Sequence, residues 1–269
     1  MTVSAGIVPF YFGAPGNTLF GCFHEPGAGR TRKCAVLICQ PMGHEYVNSH
    51  RALRQLAVRL ADAGFPVLRF DYFGCGDSSG EPEEGRTAQW LDDISHAILE
   101  AKRRTDLSRI CLIGLRLGAD LSLLAAAHRC DVVSLVLWDP VVKGKGYLEG
   151  LISFQKEMLR FRPKPKKNEK LEWPKDIIGF PVTNDLYEDI EGIDLLTIPR
   201  RPADSVLIVE TDVAPIQNDL KGVLEEMGTS VSLEHVDAPQ IWLPTIDGSL
   251  LVPRPVLQTV TSWISRICP

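Results

Sequence analysis

At 269 residues with 45% hydrophobic side chains, the chain can bury a large core, and its length suits one α/β domain with a modest insertion. A net charge of −5 leaves no basic footprint for nucleic acid. No apolar run reaches the roughly 18 residues of a transmembrane helix, so no membrane span is expected.

Seven cysteines, several of them inside apolar runs (Cys34, Cys39, Cys111), read as small buried hydrophobes in a reducing compartment. Neither a Cys-x-x-Cys pair nor a His-Glu-x-x-His motif is present, and no dinucleotide fingerprint marks the first strand–helix turn. Neither a metal nor a cofactor is expected. The start, Met1-Thr-Val-Ser-Ala-Gly-Ile-Val-Pro, lacks a charged segment followed by an apolar one, so no signal peptide is read and a cytoplasmic location is expected.

In chain order, residues 7–23 predict a hairpin around Pro15-Gly16-Asn17. Cys34 to Cys39 is a continuous apolar run, suited to a strand covered on both faces. Pro41 to Glu45 reads as a loop, and 48–63 as an amphipathic helix with Leu53, Leu56, Ala57 and Leu60 on its apolar face, ended by Gly64. A strand over 65–70 leads into Asp71-Tyr-Phe-Gly-Cys-Gly-Asp-Ser-Ser-Gly80, and Thr87 to Lys102 is a helix with Trp90, Ile94 and Ile98 on one face.

Next, Ile110 to Ile113 meets Gly114, three residues and Gly118, then enters an Ala/Leu-rich helical stretch: strand, sharp turn, helix. A strand over 132–138 ends at Asp139-Pro140. The segment 143–189 reads as a cap inserted between core segments 1–142 and 190–269. It holds a helix near Tyr147 to Met158, a basic run Arg160 to Lys170, and Trp173 to Tyr187. The basic run is either a solvated connector or a docking strip for an acidic partner such as an acyl or peptidyl carrier protein. Strands over 205–212 and 230–236, a helix over 219–227 and a closing helix over 253–267 complete a mostly parallel sheet with helices on both faces.

With these residues in place, the chain resembles the α/β-hydrolase superfamily over nearly its full length, and most of all its serine-aminopeptidase-like and lysophospholipase-like members. The resemblance is carried by Gly64-Phe-Pro-Val-Leu-Arg-Phe-Asp71, by Gly74-Cys-Gly-Asp-Ser78, and by the frame Gly114-Leu-Arg-Leu-Gly118. Closer still, Pro41-Met-Gly-His-Glu-Tyr-Val-Asn-Ser-His-Arg51 with Gly114 to Ala119 resembles the exosortase-associated hydrolase branch, whose relatives accompany peptide- and polyketide-synthesis clusters. In the superfamily the 114–118 frame is the nucleophile elbow, Gly-x-Ser-x-Gly, with its central residue strained at a helix N-terminus. Here that residue is Arg116.

Guanidinium has five donors and no acceptor and stays protonated, so Arg116 cannot attack a carbonyl. Its cation also faces the positive end of a helix dipole, which an anion nearby would relieve. That anion is a substrate oxyanion, carboxylate or phosphate, or an internal carboxylate, and Glu45 is the candidate within the chain. The resemblance puts the triad acid at Asp212, while 237–247, where the catalytic histidine belongs, has none; His235 falls inside the strand pattern.

Gly43 and Leu117 are left as backbone donors for an oxyanion, with His44 beside them. Replacement thiols are Cys75 and Cys39, with His44 or His50 as base. For those thiols, and for Ser78, Ser79, Asp71 and Asp77, structural roles are the plainer reading. Three functions follow: a pocket that binds or processes an acyl or peptidyl small molecule without serine hydrolysis, accessory to a biosynthetic pathway; a hydrolase or acyltransferase using a non-standard nucleophile; or a non-catalytic interaction scaffold. Candidate catalytic residues are Arg116, Glu45, Asp212 and Cys75; Gly43, His44, Leu117 and Arg116 are candidate substrate contacts. The oligomeric state is open.

Overall fold

A computed structural model describes residues 6–27, 29, 31–160 and 176–269. Strands β1 (Ile7–Ala14) and β2 (Asn17–His24) form the predicted hairpin, with Ala14 paired to Asn17 across the turn. They join β3 (Ala35–Cys39), β4 (Val67–Phe70), β5 (Ile110–Leu115), β6 (Val132–Trp138), β9 (Ser205–Glu210) and β10 (Ser230–His235) in one sheet of order β1-β2-β4-β3-β5-β6-β9-β10. The six strands from β4 to β10 run parallel, and the hairpin is antiparallel at one edge.

The continuous apolar runs are explained by burial on both faces. Around β3, Cys34, Val36 and Ile38 pack toward helices α1 (Gly43–Asp62) and α7 (Arg254–Ile267), while Ala35, Leu37 and Cys39 pack with α2 (Thr87–Thr105) and α3 (Leu117–Ala126). This is the period-two alternation of a pleated strand. Each fully buried Leu, Ile or Val in these layers contributes about 1.5–3 kcal/mol. The fold is the α/β-hydrolase fold.

Several boundaries differ from the sequence reading. Helix α1 begins at Gly43, not near Asn48, so the supposed loop containing His44 and Glu45 is the helix's first turn. No Ser, Thr, Asp or Asn announces this start: the residue before the helix is Met42, without a side-chain cap bond. Strand β4 is shorter than 65–70, beginning at Val67. Strand β9 stops at Glu210, leaving Asp212 beyond it, and α6 (Pro215–Glu226) opens at a proline four residues before the expected start.

Between β6 and β9 lie α4 (Gly144–Arg160), a two-residue ribbon β7 (Asp176–Ile177) and β8 (Phe180–Pro181), and α5 (Asn184–Glu191). The basic run beyond Arg160, and Trp173, fall outside the described residues. The ends of this segment meet: Gly144 N–H donates to the Ile193 carbonyl at 2.9 Å, and Lys143 bridges to Asp194. Arg86, just ahead of α2, clamps α5 with a bidentate pair to Asp189 (2.8 and 3.0 Å) and a contact to Asp185 at 2.7 Å.

Candidate active site

The turn from β5 into α3 is compact because two glycines permit it. A Cβ on Gly114 would lie 2.3 Å from the Ala119 Cα, and one on Gly118 would lie 2.4 Å from the carbonyl oxygens of Cys39 and Gln40. Strand and helix therefore approach more closely than any side chain allows. Between them Arg116 takes φ 53°, ψ −128°, a conformation strained for an L-residue. Its N–H donates to the Trp138 carbonyl at 3.0 Å, and its carbonyl accepts from Ala119 at 2.8 Å. The strained turn is retained although its central residue is an arginine.

The guanidinium is held from three sides. Its Nε donates to Glu45 Oε1 at 3.1 Å and its Nη1 to the Asp139 carbonyl at 3.2 Å. Its carbon lies 4.8 Å from the Trp242 ring centre and 5.6 Å from that of Tyr147. The Tyr147 hydroxyl donates to the other Glu45 oxygen at 2.8 Å. Glu45 is 1% exposed, but Arg116 keeps 21% of its side chain accessible. Among the described residues, Nη2 makes no hydrogen bond.

Burial pushes the Glu45 carboxyl up, against the opposing pull of Arg116 and the Tyr147 hydroxyl. For Arg116 burial lowers proton affinity, but Glu45, Tyr147 and Asp139 outweigh it and raise it. Two further carboxylates surround the elbow. Asp120, in the first turn of α3, accepts the Val141 and Val142 N–H groups at 2.9 and 3.1 Å, and burial raises it to about 7. Asp139 accepts the Thr211 N–H and hydroxyl at 2.8 and 2.9 Å, and burial raises it to about 6.

Sheet register places Arg116, Asp139, Glu210 and His235 along one row at the carboxyl edge. Leu115 pairs with Trp138, Trp138 with Val209, and His235 with Glu210. Glu210 is buried, and its Oε1 lies 3.8 Å from His235 Nδ1, while His235 itself is exposed. Glu210 and His235 thus stand side by side at the ends of the last two strands, and Asp212 lies two residues beyond β9. Asp212 is exposed, and among the described residues its carboxylate makes no hydrogen bond.

The remaining candidates are spread around this centre. His44 is 8% exposed, stacks on Phe154 at 5.9 Å and leaves Nε2 buried without a partner among the described residues. Burial, with Arg116 adding to it, lowers it to about 4, so the ring is neutral. His50 is exposed, with Nδ1 2.7 Å from the Val47 carbonyl. Gly43 and Leu117 open α1 and α3, where the first N–H groups lack intrahelical acceptors.

Gly43 and Cys75 line an apolar cavity of about 160 Å³ with Tyr46, Trp90 and Phe180; Arg116 is not in its wall. Burial, helped by Asp71 and Asp93, pushes the Cys75 thiol up to about 12, and burial raises Cys39 to about 11. Among the described residues, no cation or imidazole lowers either thiol. Ser78 and Ser79 are fastenings: their hydroxyls accept the N–H groups of Phe20 and Thr18 at 2.9 and 2.8 Å. Asp71 accepts from the Tyr46 hydroxyl and the Asp77 N–H, both at 3.1 Å, and Asp77 is exposed.

Tyr147, Trp242, Asp120, Asp139 and Glu210 escaped the sequence reading. A signal existed for two of them: Asp120 is a lone charge within an Ala/Leu-rich helix, and Asp139-Pro140 ends a strand at the carboxyl edge of the sheet. Tyr147 and Trp242 come from segments whose placement no local pattern reveals.

Comparison with known proteins agrees with this architecture. Residues 33–188 match the family described as serine aminopeptidase, S33, and the chain belongs to that family. An esterase from Pyrococcus furiosus superposes with TM-score 0.69 at 16% identity, covering 99% of this chain and 92% of its own. Est1E from Butyrivibrio proteoclasticus, solved with ferulic acid, gives 0.65 at 18% identity, covering 96% of both chains. A lid-less α/β serine hydrolase from Xanthomonas campestris gives 0.62 at 15%, covering 100% of this chain and 98% of its own. Human protein ABHD12B is 38% identical over 98 residues, 34% of this chain; the match spans a quarter of that protein's length (25%).

Proposed function

We propose that the chain binds or processes an acyl or peptidyl small molecule without serine-type hydrolysis, as an accessory to a biosynthetic pathway. One observation carries this reading: the guanidinium of Arg116 stands on the strained elbow, already paired to Glu45 and ringed by Tyr147 and Trp242. A permanent cation there cannot form an acyl-enzyme, but its Nη2, unbonded among the described residues, and the N–H groups at Leu117 and Gly43 suit a carboxylate or carbonyl oxygen. In this reading 143–189 is a cap that brings Tyr147 over the elbow. Glu45 and Tyr147 orient Arg116, and His44 forms a neutral wall. On this reading the partner is an acyl or peptidyl small molecule, free or tethered to a carrier protein.

The test is binding of a medium-chain acid, with ester hydrolysis measured in parallel. Octanoate is expected to bind, Arg116→Met to weaken it about tenfold, and a fluorophosphonate probe to leave the chain unlabelled. Ester turnover unaffected by Arg116→Met would overturn the reading.

A second reading, a hydrolase or acyltransferase with an unusual nucleophile, is favoured by the cavity that Cys75 lines. The high thiol pKa counts against it. Ester turnover abolished by Cys75→Ala, with matching thiol labelling, would establish it in place of the first.

A further inference from the structure

On the hairpin side of the sheet, a groove of about 240 Å³ runs between α1 and the β2–β4 pair. It holds charges that the elbow does not use. Tyr46, His50 and Arg54 stand at i, i+4 and i+8 on α1 and share one helix face. Opposite them, Cys22 on β2 and Arg69 on β4 are register partners, and Asp71 follows Arg69 on the same sheet face. Asp77 enters from the following turn.

Two arginines and two aspartates thus share one groove, yet they do not neutralise one another. Among the described residues neither Arg54 nor Arg69 lies within 4.0 Å of a carboxylate oxygen. Arg69 instead donates its Nε to the buried His24 Nε2 at 3.1 Å, and Asp71 is occupied by the Tyr46 hydroxyl and the Asp77 N–H. Cys22 lies amid all four charges, each acting on its thiol. Arg54 on α1 thus faces Arg69, Asp71 and Asp77 on the sheet side, and both signs of charge line one groove of about 240 Å³ without pairing.

A solvated anion alone would meet the two carboxylates, and a cation alone the two guanidinium groups. A molecule carrying both charges has a partner for each of them in the groove. We propose that the groove binds a small zwitterion of amino-acid type, with its carboxylate on Arg54 and Arg69, its ammonium on Asp71 and Asp77, and its body against Cys22 and Phe20. The site is separate from the elbow and does not rest on the function proposed there.

Three probes with the same ring and differing only in charge provide the test: phenylalanine, 3-phenylpropionate and 2-phenylethylamine. The readout is the alkylation rate of Cys22 by iodoacetamide, followed peptide by peptide, with exposed Cys130 as internal reference. Calorimetric titration runs alongside. Phenylalanine is expected to slow Cys22 alkylation and to bind at least fivefold more tightly than either single-charge probe. Arg54→Met and Asp77→Asn, both at exposed positions, should each weaken it about fivefold, while Arg116→Met leaves it unchanged. Equal binding of all three probes, indifference to both groove variants, or no protection of Cys22 at about ten times a millimolar affinity would overturn the proposal.

Discussion

Glu45→Gln tests the elbow most directly, because it removes a charge while keeping shape and an acceptor. In the native site Glu45 is almost wholly buried and Arg116 is 21% exposed, joined at 3.1 Å. Leaving one member of a fully buried pair uncompensated costs about 3–5 kcal/mol. The partial exposure of Arg116 lets water return to one edge of its fork, which brings the expected loss to about 2–3 kcal/mol. In a chain of this size that lowers Tm by roughly 5 °C.

Arg116→Met alone should cost a similar amount, since it strands a buried carboxylate, although protonation of Glu45 would soften the loss. The double variant, Glu45→Met with Arg116→Met, is expected near wild-type stability, because apolar replacement of both partners removes desolvation and attraction together. Urea denaturation of the wild type, the two Met single variants and the double variant gives the coupling energy, expected at about 4–5 kcal/mol because it is the sum of the two single losses when the double variant is near wild type. Single losses below about 0.5 kcal/mol, or losses that simply add, would show that Arg116 is not held by Glu45.

Other consequences concern backbone, acid–base behaviour and packing. Gly114→Ala and Gly118→Ala each place a Cβ 2.3–2.4 Å from backbone atoms, so each should cost more than about 4 kcal/mol or prevent soluble expression; thermal melts within 3 °C of wild type would contradict this. At the elbow itself, Arg116→Gly should be more stable than Arg116→Ala by about 1 kcal/mol in urea melts, because only glycine accepts φ 53° without strain. Asp120 is raised to about 7 from an ordinary 3.8, so the folded state holds its proton more tightly. Its stabilising contribution is complete below about pH 4 and is lost as pH rises toward 7. His24 and His44, both lowered to about 4, act in the opposite sense. The diagnostic is therefore the difference between wild type and Asp120→Asn, which should shrink from pH 4 to pH 8; a constant gap would refute the assignment. Finally, His44→Phe keeps the stack on Phe154 and removes an unpartnered buried nitrogen, so it should raise stability by about 0.5–1 kcal/mol; a loss larger than 1 kcal/mol would mean that Nε2 has a partner.

The sequence by itself determined the sheet and the elbow. Uninterrupted apolar runs such as Cys34–Cys39 and Ile110–Ile113 suit strands buried on both faces, and the glycines at 114 and 118 suit a close strand–helix turn. Both are local, since period and backbone freedom are written in consecutive residues. The presence of an arginine where attack would begin was equally legible. Tertiary structure alone decided what surrounds it. Tyr147, Asp139 and Trp242 reach Arg116 from three separate segments, and the start of α1 at Gly43 sets Glu45 beneath the guanidinium. Chain separations of 23, 71 and 102 residues divide the partners in these hydrogen bonds, so no sequence window contains them. Whether a buried cation is neutralised or left open to a ligand depends on such distant contacts, because charge interactions follow distance in space rather than position along the chain.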